Sequence, residues 1–243
     1  MYFPLVGIIV GFVCALVYLI ATITFSSPPL AALFALTAGV LLTGGLHEDG
    51  LADFADGLGG GRDRKHRLEI MKDSRIGSYG TIALILVFSI NFVALDRLKG
   101  PSFLVMASLI AAHGVSRALL PIIAALTPYA RETDDSKTAP LADPLPSHRL
   151  FGLSFFATFA VMPIPAAYMI EPQAVDPLPF FNNGPLLIVL TMAAAILAAP
   201  MIAVVMTRIS QRKLGGWTGD TLGATQVVCF TTFLIFIAPQ LWI

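Results

Sequence analysis

Charged side chains are scarce in this chain: Asp, Glu, Lys and Arg make up 12% of its 243 residues, against roughly 25% in an ordinary soluble domain. The 15 acids and 15 bases cancel, so the basic excess of a nucleic-acid binder is missing and that class is excluded. Cysteine is nearly absent. Cys14 and Cys229 stand far apart in apolar segments, which leaves no disulfide framework and no zinc spacing, only two small hydrophobes. There is no internal repeat and no low-complexity tract. The N-terminal apolar run has no basic stretch ahead of it, and it exceeds the ~7–15 residues of a signal-peptide core. It reads as a retained spanning helix.

What fills the chain is hydrocarbon. Apolar residues make up 56% and the mean hydropathy is +0.81, which places the chain in a lipid bilayer. Seven segments are apolar over about 20 residues, enough to cross as helices: roughly 4–25, 29–45, 78–96, 102–127, 150–170, 185–207 and 223–243. The expectation is an all-α, polytopic transmembrane bundle, one integral membrane domain spanning 1–243. Strict alternation puts the loops 46–77, 128–149 and 208–222 on one side. They carry 12 of the 15 basic residues, so that side is expected to be cytoplasmic, with the N-terminus inside and the C-terminus outside.

Against that background one stretch stands out. Between His47 and Gly77, HEDGLADFADGLGGGRDRKHRLEIMKDSRIG gathers 7 of the 15 acids and 6 of the 15 bases. Asp49, Asp53 and Asp56 fall at i, i+4 and i+7, so on a helix their carboxylates share one face. Glu69 and Asp73 form a second turn-spaced pair. Like charges so placed repel unless something cationic sits among them. Oxygen-only ligands favour Mg²⁺, with Mn²⁺ as a substitute, over zinc or copper. The spacing is not that of an EF-hand. The segment 46–77 is therefore expected to form a catalytic element along the cytoplasmic edge, its acidic helix flanked by glycines.

The bases beside these acids suit phosphate. Arg62 and Arg75 are placed to grip phosphate oxygens in a fork, whereas Arg64 and Lys65 read as anchors on the positive side. Carboxylates, a divalent ion and arginines together are the parts of a phosphoryl-transfer site. The loop 208–222 holds more glycine than a membrane turn requires, and its Asp220 faces the same side or caps a helix. His113 and Arg117 lie at i, i+4 inside a spanning segment, where an ionisable residue is a functional candidate.

These residues resemble a known family. Thr43-Gly44-Gly45-Leu46-His47-x-Asp49-Gly50-Leu51-Ala52-Asp53-x-Ala55-Asp56-Gly57 and Glu69-Ile70-Met71-Lys72-Asp73-Ser74-Arg75-Ile76-Gly77-x-Tyr79-Gly80 are similar to the two long motifs of the cobalamin synthases, formally adenosylcobinamide-GDP ribazoletransferases. Phe3-Pro4-Leu5-Val6-Gly7, Tyr129-Ala130-Arg131 and Gly215-Gly216-x-Thr218-Gly219-Asp220-x-x-Gly223 match its other marks in order. The chain departs from the pattern at Glu48, where the family usually has an apolar residue, after Arg131, and at Gln226-Val227, where an acid is common. It also begins almost directly at the Phe-Pro-Leu-Val-Gly stretch, which members usually precede with a further segment.

The resemblance implies a multi-pass enzyme of the bacterial cell inner membrane with its active site facing the cytoplasm. It implies a Mg²⁺-dependent phosphotransferase of vitamin B12 assembly joining adenosylcobinamide-GDP to α-ribazole or its 5′-phosphate, with release of GMP. The site so implied has Asp73, Glu69 and Arg75 as catalytic residues and Asp49, Asp53, Asp56 and Asp73 on the metal. His47, Arg62, Lys72, Arg117, Arg131 and Asp220 are the expected substrate contacts. The partners are the two substrates and the lipid bilayer, with room for a homo-oligomer. A CDP-alcohol phosphotransferase of lipid synthesis shares the chemistry but has a longer gap between its acidic pairs. A cation-coupled transporter would set its acids near the midplane, whereas these crowd one edge.

Overall fold

The computed structural model describes residues 2–98, 102–130, 160–161, 163–164 and 184–238. Among them eight helices have defined bounds: α1 (Phe3–Phe25), α2 (Pro28–Thr43), α3 (Leu46–Gly60), α4 (Arg64–Ile70), α5 (Ser78–Arg97), α6 (Ser102–Leu126), α7 (Gly184–Leu214) and α8 (Gly219–Ile237). No strand forms among the described residues; Tyr129 and Trp217 make an isolated bridge. The helices begin where local chemistry lets them. Pro4 and Pro28 sit in first turns, where a missing N–H costs nothing. Thr218 and Thr221 form a reciprocal cap at the start of α8, each hydroxyl taking the other's backbone N–H.

The protein is an all-α transmembrane bundle. Five helices, α1, α5, α6, α7 and α8, are long and apolar enough to cross a membrane. The expected count of seven is not reached among the described residues. The 150–170 span falls almost wholly outside them. The helix expected at 29–45 has 16 residues, about 24 Å at 1.5 Å per residue, short of the roughly 30 Å hydrocarbon core. It qualifies only together with α3, from which it is bent by 87°; counting that pair gives six.

Packing follows small residues. Gly7, Gly11 and Ala15 recur every four residues on α1, all buried, and Gly7 and Gly11 meet the α6 backbone at Leu109–Gly114 so closely that a Cβ at either would collide with it. Helices without a hydrophobic drive between them associate through such seams. The α1–α6 contact is the most extensive among the described helices. α6 and α8 are the most enclosed of the spanning helices. α1, α5 and α7 turn Ile9, Phe12, Ile85, Leu86, Leu197 and Val204 outward, as lipid-facing helices do.

Candidate functional site

The sharp turn that creates the site comes from two glycines. Gly44 and Gly45 both hold left-handed backbone, φ 65° and 69°, which side chains with a Cβ rarely adopt. The amides of both return to the last turn of α2, Gly45 N–H reaching Val40 O at 2.9 Å. The chain then leaves at nearly a right angle as α3, which packs on α8 and α5. α3 and α8 cross at glycine on each side. A Cβ at Gly50 would stand 2.8 Å from the Asp220 carbonyl oxygen, and one at Gly223 would stand 3.3 Å from the His47 backbone. The two glycine-bearing motifs, far apart in sequence, are the two faces of one contact.

Along α3 the three aspartates have different fates. Asp49 is exposed and Asp53 half-buried. Asp56 is buried, and its carboxylate accepts the backbone N–H of Gly77 at 2.7 Å and of Gly80 at 2.9 Å. It thus caps α5 from another helix, answering the orphan amides and positive end of that helix. α4 is capped by its own Asp63, which accepts the His66 amide at 3.0 Å; that bond, foremost, holds the carboxyl below its ordinary range. Asp73 is gripped by Arg75: Nη2 lies 2.6 Å from Oδ2 and Nε 3.0 Å from Oδ1, with the Arg75 amide also donating to Oδ1. Those bonds pull the Asp73 carboxyl down to about 2. The Arg75 side chain remains 87% exposed.

Arg64 was expected to be a simple anchor. Instead its Nε donates to Leu214 O at 2.6 Å and its Nη2 to Ala130 O at 2.9 Å. The guanidinium lies over Gly215, whose φ is 82°. Trp217 joins the same knot: its amide reaches Pro128 O, Ala130 N–H reaches the Trp217 carbonyl, and its indole N–H reaches Thr127 O. Arg64 therefore ties the acidic segment to the 127–130 turn and to the glycine loop before α8. Its partners are backbone carbonyls, which leave no mark in the residue pattern.

The other expected site residues fall into two groups. Arg62, Glu69 and Lys72 are exposed in and around α4, and Asp220 sits half-buried in the first turn of α8 against Gly50. His47 is half-buried beneath the α3–α8 crossing. Arg117 lies apart from the exposed arginines, buried in α6 and bonded through Nη1 to His113 Nδ1 at 2.8 Å. Arg131 lies outside the described residues.

The donor chemistry suits a hard divalent ion, yet among the described residues no three of His, Cys, Asp and Glu converge on one point. Asp56 and Asp73 accept hydrogen bonds from Gly77, Gly80 and Arg75. Asp49 and Asp53 stand one turn apart on α3, and one or two carboxylates completed by substrate phosphates is the usual Mg²⁺ arrangement. That pair fits.

The chain matches the family model for cobalamin-5-phosphate synthase over residues 1–238. It is 43% identical to an adenosylcobinamide-GDP ribazoletransferase of Bradyrhizobium diazoefficiens over 91% of this chain and 75% of that one. To proteins of the same description from Vibrio cholerae it is 36% identical over 100% of this chain and 85% of theirs, and from Polaromonas 37% over 99% and 85%. No solved structure matches.

Proposed function

The chain belongs to the cobalamin-5-phosphate synthase family, and from that premise we propose that it is an adenosylcobinamide-GDP ribazoletransferase. It joins adenosylcobinamide-GDP to α-ribazole or its 5′-phosphate, giving adenosylcobalamin or its 5′-phosphate and releasing GMP. A ribose hydroxyl attacks the phosphorus bonded to the cobinamide side chain. The new O–P bond forms as the bond to GMP breaks, the hydroxyl proton leaves to a base, and GMP carries away the bridging oxygen.

The observation that carries this reading is the crossing of the Asp49–Asp53 helix with the glycine-bearing start of α8 at Gly50 and Gly223, both motifs lying inside the matched span. Asp49 and Asp53 would hold Mg²⁺, with Mn²⁺ as a substitute, and the ion would supply charge neutralisation at the transferring phosphoryl group. Glu69 and Asp73 stand on the next segment, where Arg62, Lys72 and Arg75 are exposed and would serve the diphosphate as charge-assisted donors. Arg75 serves as a clamp by exchanging the Asp73 carboxylate for phosphate oxygens of the same fork geometry. Asp56 holds α5 in place behind them. The excess of Lys and Arg in the loops on this side supports a cytoplasmic active site at the bacterial inner membrane.

The direct test is product analysis of purified protein given adenosylcobinamide-GDP, α-ribazole and Mg²⁺. Adenosylcobalamin and GMP should appear in equal amounts, and neither should form when Mg²⁺ is chelated. Turnover of a CDP-alcohol with a lipid acceptor, and none of the corrinoid, would overturn the assignment.

A further inference from the structure

Arg117 is 3% exposed, and it lies nine residues before the end of α6. A lone guanidinium inside a membrane bundle is strongly unfavourable unless something answers its charge. His113 does not: its ring and its carbonyl accept from Nη1, but neither is an anion. Across a cavity under the first turn of α3 stands Glu48, within electrostatic reach of Arg117. Its Oε2 is enclosed and accepts no hydrogen bond. Asn91 of α5 lines the same cavity, is 4% exposed, and its Oδ1 likewise accepts nothing. Two orphan acceptors and a buried cation thus face one small space, with room for about two waters.

We infer that Glu48 is the counter-charge of Arg117, joined to it through water in this cavity. One water has two O–H donors, which match Glu48 Oε2 and Asn91 Oδ1, and a lone pair left to accept from the guanidinium. Glu48 adjoins Asp49 and lies five residues before Asp53 on the same helix. The pair therefore seats the N-terminal turn of α3 on α6 and makes Glu48 a positioning residue for the acidic face, a role that rests on the proposed phosphotransfer. The sequence signal was the Glu48 position itself, an acid in the Leu46–Leu51 stretch that belongs to neither acidic pair.

The test is a double-mutant cycle in nanodiscs, read by thermal unfolding and by hydrogen exchange across residues 46–60, neither of which needs activity. Glu48→Leu or Arg117→Met alone strands a buried charge and should lower Tm by roughly 5–15 °C, with faster exchange in α3. The double variant strands none and should recover most of both losses. Glu48→Gln, which keeps the shape, should fall between wild type and Glu48→Leu, and it keeps the cycle readable if Glu48→Leu does not fold. In turnover assays Glu48→Gln should lower kcat about tenfold, with KM for either substrate within about twofold. Wild-type Tm and exchange in Glu48→Leu, or additive losses in the double variant, would overturn the pairing. An unaltered kcat in Glu48→Gln would overturn the positioning role. A wild-type protein that turns over no corrinoid but shows the expected coupling would refute the assigned activity and leave the pair standing.

Discussion

Asp56 and Gly77 stand 21 residues apart and meet at 2.7 Å, the Gly77 amide donating to the Asp56 carboxylate. With Gly80 as second donor, this contact makes Asp56 the cap of a helix it does not belong to. A carboxylate that accepts two helix-terminal amides is held for structure first. Asp53 lies one turn earlier on the same helix and is half-buried.

The two aspartates should therefore fail differently. Asp56→Ala removes both acceptors and should destabilise the fold by about 2 kcal/mol, lowering Tm by roughly 5 °C. Asp53→Asn leaves the α5 cap in place and should cut turnover at least about a hundredfold through lost charge neutralisation. Thermal unfolding beside a turnover assay separates them. Equal Tm for both variants would mean that the cap carries nothing, and full turnover by Asp53→Asn would remove α3 from the chemistry.

Much of this arrangement was readable in the residues. Apolar runs located the spanning helices, glycines were seen to flank the acidic helix, and the i, i+4, i+7 spacing put three carboxylates on one helical face. Spacing says which side chains share a face but not what that face meets. Asp56 became a cap because the start of α5 arrives there through a tertiary contact. α2 reads as a span by hydropathy but runs only 16 residues before the glycines stop it. The partners of Arg64 are main-chain oxygens of Leu214 and Ala130, and Arg117 answers to an acid on another helix. None of these is a property of a local window.

The Asp73–Arg75 pair sets a pH expectation. Bonds from the Arg75 side chain, then its amide, take the Asp73 carboxyl from 3.8 to about 2 in the folded chain. A lower folded value means that the pairing stabilises the turn fully above pH 3.8 and is lost as pH falls through about 2. In metal-free buffer, the ¹³C shift of the Asp73 carboxyl should show no titration between pH 7 and 3. In Arg75→Gln it should titrate near its ordinary value. A wild-type midpoint near 3.8 would show that the pair is open in solution.

Orientation can be checked separately. A reporter active only outside the cytoplasm should be active when fused after residue 176 and silent when fused after residue 140, because the basic loops are expected inside. The reverse pattern would put the aspartates on the side opposite a cytoplasmic nucleotide substrate.

Arg64 and Arg75 make a paired comparison in which one substitution asks two questions. Lysine keeps the charge and removes the planar fork. At Arg64 the fork spans two carbonyls on different segments, Leu214 O at 2.6 Å and Ala130 O at 2.9 Å. An ammonium on a single stem cannot reach both in that geometry, so Arg64→Lys should loosen the glycine loop, at a cost of about 1 kcal/mol in stability. At Arg75 the fork closes on an exposed neighbour two residues away, and Arg75→Lys should leave unfolding unchanged. If Arg75 turns to the diphosphate of the bound substrate, however, an ammonium loses one of two parallel hydrogen bonds there. Arg75→Lys should then lower kcat/KM for adenosylcobinamide-GDP about tenfold, roughly 1.4 kcal/mol. Unfolding temperatures and kcat/KM measured on both variants decide the matter. A drop in kcat/KM for Arg64→Lys that merely tracks its loss of stability, beside an unaffected Arg75→Lys, would confine Arg75 to holding Asp73 and leave the phosphate to Arg62 and Lys72.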